Sequence, residues 1–220
     1  MFSISFLCFV SSFPQATAVV LANHTSTTYD IYFQYPSDWE LTERTNRFQE
    51  GSDISIQKIV SGDIALITIG YIKETLDNFD SDTVTRKTNA YHTEMLGNYE
   101  KETRSIEEPS FVTIDGVKAG TFVIAEKDRF DEDSIDWGIQ AWLVYFANKS
   151  YFITFSSPTS MFDSQQKTEV RDNFIKSIKF LDKSKSPTSN RILGDSLNKQ
   201  KRFDHFILLH STALNVSISI

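Results

Sequence analysis

The densest group of potential ligands in this 220-residue chain is Glu126-Lys127-Asp128-Arg129-Phe130-Asp131-Glu132-Asp133-Ser134-Ile135-Asp136. Carboxylates at this spacing are hard oxygen donors of the kind that chelate calcium, and Asp128, Asp131, Asp133 and Asp136 are the candidate ligands. The pattern departs from a calcium loop, because Ile135 occupies a donor position and no glycine follows for the sharp turn. The competing reading is a solvated hairpin tip. The four histidines, His24, His92, His205 and His210, have no metal-ligand spacing to one another or to a cysteine. His92 is expected at a surface or boundary of a helix. No Gly-x-Ser-x-Gly motif and no glycine-rich phosphate loop occur. The single cysteine, Cys8, lies in an apolar leader, so the rest of the chain has neither a thiol nucleophile nor a disulfide. Adjacent acids such as Glu107 and Glu108 are unremarkable in so acidic a chain and do not indicate acid–base chemistry. Nothing here assembles a catalytic constellation, and the expectation is a protein that is not an enzyme, with no cofactor unless calcium.

Three tryptophans, Trp39, Trp137 and Trp142, are either core or an apolar binding face. Trp39 follows a proline that ends a strand, which favours a lid packed over the sheet edge. Asn23, Asn148 and Asn215 head Asn-x-Ser/Thr sequons, and Asn148 sits at a turn where a glycan is tolerated.

Charge limits the partners. The formal net charge is −7. Residues 182–220 hold six of the 22 Lys/Arg and three of the 29 Asp/Glu, so the body carries about −10 and the tail +3. A nucleic-acid partner requires a basic surface and is excluded for the body. A protein or small-ligand partner and a monomeric state remain the expectation.

The elements that position these residues follow from periodicity. Ile31, Phe33 and Tyr35 alternate along a strand that Pro36 stops. Residues 54–60 and 65–72 read as a hairpin about Ser61-Gly62-Asp63. Val84, Tyr91 and Met95 fall at helical spacing between an Asp80–Asp82 cap and Gly97-Asn98. A short polar strand over 102–107 precedes a strand over 111–114. The latter enters Asp115-Gly116, the strongest hairpin signal present, and 117–127 returns from it. Strands over 138–147 and 151–155 pair about Asn148-Lys149. A last helix over 165–180 presents Val170, Phe174, Ile178 and Leu181. Hairpin-length links imply antiparallel pairing, and the order implies an α+β fold with helices covering a central antiparallel sheet.

Residues 1–22 read as a signal peptide or N-terminal anchor. They have an apolar stretch over 2–10 and small-x-small sites at Ala16-Thr17-Ala18 and Val20-Leu21-Ala22, but no Lys or Arg. Nothing in 2–22 alternates like a half-buried strand. An exported, extracytoplasmic protein is expected, with a domain over 27–181 and a flexible, mildly basic tail over 182–220.

Taken in order, the strand running into Tyr35-Pro36-Ser37-Asp38-Trp39, the Asp115-Gly116 hairpin, the aromatic strands around Trp142 and Tyr151, Ser156-Ser157-Pro158, and a closing helix with Phe174, Ser177 and Phe180 resemble PsbP-like domains. The resemblance covers residues 27–181 and implies a PsbP/Mog-like α-β-α sandwich. It is similar to stand-alone exported bacterial and archaeal members of unknown function. The family's founding member is a photosystem subunit that helps retain calcium and chloride, and a Ran-binding Mog-type protein has the same fold. The resemblance thus implies a non-enzymatic binding or accessory module. An envelope-anchored structural protein and a calcium-retaining photosystem-type subunit are the alternatives, since fold alone does not specify function.

Overall fold

The computed structural model describes residues 19–44, 53–60, 63–73, 81–131, 133–147 and 149–181. Ten strands and three helices occur among them, in the order β1 (Leu21–Ser26), β2 (Ile31–Pro36), β3 (Glu40–Glu43), β4 (Ile54–Val60), β5 (Asp63–Lys73), α1 (Ser81–Leu96), β6 (Lys101–Ile114), β7 (Val117–Asp128), β8 (Trp137–Phe146), β9 (Lys149–Pro158), α2 (Thr159–Phe162), α3 (Gln165–Ser177) and β10 (Lys179–Phe180). The molecule is an α+β protein dominated by antiparallel sheet. Seven strands form one sheet in the order β3-β4-β5-β9-β8-β7-β6, and β1-β2-β10 form a second.

Period-two alternation assigns each residue of the large sheet to a face. On one face Leu66, Phe122, Ile124, Ile139, Ala141, Leu143 and Phe152 pack against Val84, Tyr91 and Met95 of α1. On the other, Ile67, Ile69, Val123, Trp142, Val144, Ile153 and Phe155 meet Tyr29, Ile31, Phe33, Val170, Phe174 and Phe180. Helices therefore do not cover the sheet alone. The three-stranded sheet shares the second face with α2 and α3, a layer that the periodicity of single segments does not reveal.

The strands β4, β5, β7, β8 and β9, the helix α1, and the two-residue Asp115-Gly116 hairpin lie where the sequence places them. The positive φ of Asp115 (48°) and Gly116 (78°) is the left-handed geometry of a tight hairpin turn. Other elements differ. The final helix stops at Ser177 rather than 180, because Lys179 and Phe180 pair with Tyr32 and Ile31 of β2. Ser177 anchors the switch: its hydroxyl receives the Gln34 N–H at 2.8 Å and donates to the Phe174 carbonyl at 2.7 Å. The two short strands expected over 102–114 are one edge strand, β6, whose register shifts between Ser105 and Glu107 and again between Glu107 and Ser110. Its Pro109 is tolerated because an edge strand has one unpaired side. β1, β3 and α2 were not legible in the sequence. β1 begins upstream of residue 27 and is polar and largely exposed. It is held by pairing with β2 and by Ser26 and His24, which contact Glu43 at 2.8 and 2.7 Å. The leader over 1–18 and the tail over 182–220 lie outside the described residues.

Candidate functional site

Two clefts, each about 290 Å³, flank α3. The first is built on the Tyr35–Trp39 segment. After β2, the Trp39 N–H bonds to the Pro36 carbonyl at 3.0 Å, and the Ser37 N–H bonds to the Val20 carbonyl at 2.8 Å. This turn folds the indole back into the core, where it is 6% exposed. Val20, Pro36, Trp39 and Val170 are apolar residues of the cleft's lining, and Lys58 and Lys167 are its two basic residues. Lys58 projects from β4 and pairs with Asp38 at 3.3 Å. Lys167 lies in the first turn of α3, whose Ser164 cap accepts the Lys167 N–H. Although charged, Lys167 is 1% exposed, and its ammonium sits 5.7 Å from the Trp39 ring centroid. An ammonium over an indole face is attracted by the ring quadrupole, more strongly when desolvated.

The second cleft lies between α3 and the bulged part of β6. Trp142, Phe162, Ile106, Val112 and Ile175 are its apolar lining, with Arg171 and Lys176 beside Glu107, Asp163 and Asp172. The Arg171 guanidinium is 5.1 Å from the Phe162 ring, and Lys176 pairs with Asp172 at 3.7 Å. Sequence reading singled out Trp39 and Trp142 but neither cleft. Lys167 and Arg171 were missed, since each reads locally as a solvated charge, and Lys58 was legible only as a strand residue in register with Ile54 and Ile56.

The remaining candidates are dispersed. Trp137 belongs to the α1-side core. Asp128 meets Lys101 at 3.3 Å and accepts the Phe130 N–H, Asp131 accepts the Asp133 N–H, and Asp136 takes Arg104 at 2.9 Å and the Thr159 hydroxyl at 3.0 Å. The carboxylates of Asp128, Asp131 and Asp136 are thus engaged separately, and Asp133 enters through its backbone N–H. Among the described residues, no three His, Cys, Asp or Glu converge on a point that could hold a metal. His92, expected at a boundary, is buried against Phe122, with Nε2 3.0 Å from the Ser105 hydroxyl. Asn23 stands on β1 and accepts from Tyr32 and Gln34. Asn148, Asn215, His205 and His210 lie outside the described residues.

Beside the acidic segment, Glu126 is 6% exposed. Burial pushes its carboxyl up to about 7; the charge of Lys101 pulls it partly back, and Asp128 adds a smaller upward push. Alternation along β7 puts it on the face of Phe122 and Ile124, the one signal that could have located it.

A seven-stranded antiparallel sheet with α1 on one face, and a three-stranded sheet with α3 on the other, is a PsbP-like fold. Two solved structures carry the likeness. The solution structure of CyanoP, the cyanobacterial PsbP of Synechocystis sp. PCC 6803, is 14% identical over 78% of this chain and 98% of its own, with a TM-score of 0.52. LpqN of Mycobacterium tuberculosis, described as involved in cell envelope biogenesis, is 11% identical over 76% of this chain and 93% of its own, with a TM-score of 0.52. At such identities the likeness is one of fold. No family profile and no curated protein matches the chain by sequence.

Proposed function

We propose that this protein is an exported, non-enzymatic PsbP-like binding or accessory module that holds a small ligand or a partner's side chains in the clefts beside α3. The observation that carries the reading is the repeated composition of those clefts. Each sets a buried tryptophan beside two basic side chains, Trp39 with Lys58 and Lys167, and Trp142 with Arg171 and Lys176. Concave sites with an apolar wall and a few charged groups are where proteins take ligands. In the acidic loop, the carboxylates of Asp128, Asp131 and Asp136 each serve a different partner, which favours a structural use of that segment over a shared reacting site. The shared fold with LpqN, described as acting in cell envelope biogenesis, supports an extracytoplasmic setting. Of the two small-x-small sites, the first would leave β1 whole if cut after Ala18, whereas the second would cut within β1.

The test is expression of the full chain in its source or a close host, then fractionation and affinity capture. The expected result is extracytoplasmic protein with Val19 at its amino terminus and a co-purifying ligand or partner. Chain retained in the cytosol with residues 1–18 attached overturns the export claim. Steady turnover of the captured molecule by the pure protein overturns the non-enzymatic one.

A further inference from the structure

We infer that the Trp39 cleft is a site for a small organic anion, a molecule with one carboxylate or phosphate on an apolar or aromatic body. The inference rests on the binding-module reading and assigns it a ligand chemistry.

The body as a whole is strongly acidic, yet this cleft is lined by two lysines against one carboxylate, Asp38. Low-dielectric walls strengthen the field of such groups and raise the local concentration of counter-ions. Placing Lys167 at 1% exposure carries a desolvation cost that a surface lysine avoids. The cleft turns that buried charge to use, because an ammonium has three donors and can serve an anion as well as its partners within the protein. Gln166, also on the lining, is in the first turn of α3, where backbone N–H groups lack intrahelical acceptors.

The apolar part of the lining defines the rest of the ligand. Val20, Pro36, the Trp39 indole and Val170 present apolar surface and no acidic group. Asp38 is the competitor: it pairs with Lys58 at 3.3 Å, but its side chain is 63% exposed. The Lys58 side chain is mostly buried, but the Asp38 end is open to solvent and its contribution is screened, so an incoming anion can take its place beside Lys58. A volume of about 290 Å³ lies at the small end for ligand sites and suits a compact molecule.

The experiment compares isosteres by calorimetry on the full chain: 4-phenylbutyrate and phenyl phosphate as anions, and 4-phenylbutanamide as the neutral control. The expected result is saturable one-to-one binding of at least one anion, roughly tenfold or more tighter than the amide, with quenching of tryptophan emission. The tighter of the two anions distinguishes carboxylate from phosphate. Lys58→Met and Lys167→Met should each weaken the anion about tenfold or more and leave the amide unchanged. Asp38→Asn, at an exposed position where misfolding is not at issue, should tighten it. Equal affinity for acid and amide, absence of binding at millimolar ligand, or no gain in Asp38→Asn overturns the assignment. A neutral or cationic molecule captured from the native source also overturns it and leaves the binding-module reading standing.

Discussion

Trp39 is wall and core at once. Its ring belongs to the cluster that joins the two sheets, so truncation leaves a cavity as well as lost apolar contact. Trp39→Ala should cost about 3–5 kcal/mol, measured by denaturant unfolding; a change within error would instead place the indole outside the core. Glu126 supplies a pH-dependent contribution. Its carboxyl titrates at about 7 in the folded protein against 4.5 when free, so between those values the folded protein retains a proton that the unfolded chain has released. Stability therefore falls as pH rises from 4.5 to 7 and levels off above, by roughly 3 kcal/mol for this shift. Glu126→Gln should flatten that slope and raise stability at pH 8. The same slope in wild type and variant would assign the titration to other groups.

Two glycines set how closely helices approach the large sheet. A Cβ on Gly120 of β7 would come within 1.8 Å of the Thr88 hydroxyl of α1, and one on Gly138 of β8 within 2.6 Å of the Phe162 ring of α2. Both substitutions to alanine overpack a filled interior, and each should destabilise by about 1–3 kcal/mol. Gly120→Ala should loosen α1, read as faster amide exchange along that helix with β9 unchanged. Retention of full stability would mean that the layers slide apart without cost. At the far end of the sheet, Asp115 joins elements distant in sequence: its carboxylate accepts the Phe180 N–H at 2.9 Å and meets Lys179 at 2.9 Å. The hairpin tip is thereby tied to β10, and β10 to β2.

Across the whole molecule, protection should follow position in the sheet. β9 is the middle strand of seven, flanked by β5 and β8 and buried along nearly its whole length. β6 and β1 are edges with mostly exposed or half-buried residues. Amide exchange should accordingly be slowest in β9 and its neighbours, and fastest in β1 and in β6 between Ser105 and Ser110, where the register shifts. Uniform protection would contradict this gradient. In the acidic segment after β7, Asp128, Asp131 and Asp136 are used in local turns and ion pairs.

Residues with strong local signals were readable from the sequence. The alternation of Ile31, Phe33 and Tyr35, the helical spacing of Val84, Tyr91 and Met95, and the Asp115-Gly116 turn are properties of segments a few residues long. Their order was enough to indicate an antiparallel α+β domain of PsbP-like type. What the tertiary structure decided are the features that depend on a distant partner. Val170, Phe174 and Ile178 continue a helical stripe, but pairing with β2 draws Lys179 and Phe180 into a strand. β1 is polar and becomes a strand because β2 offers it an edge. The clefts were hidden for the same reason: Trp39, Lys58 and Lys167 come from a turn, a strand and a helix far apart in the chain. Hydrophobic period is written locally. The burial of a charge is set by what folds over it, and only the assembled layers show which lysines face a cavity and which face water.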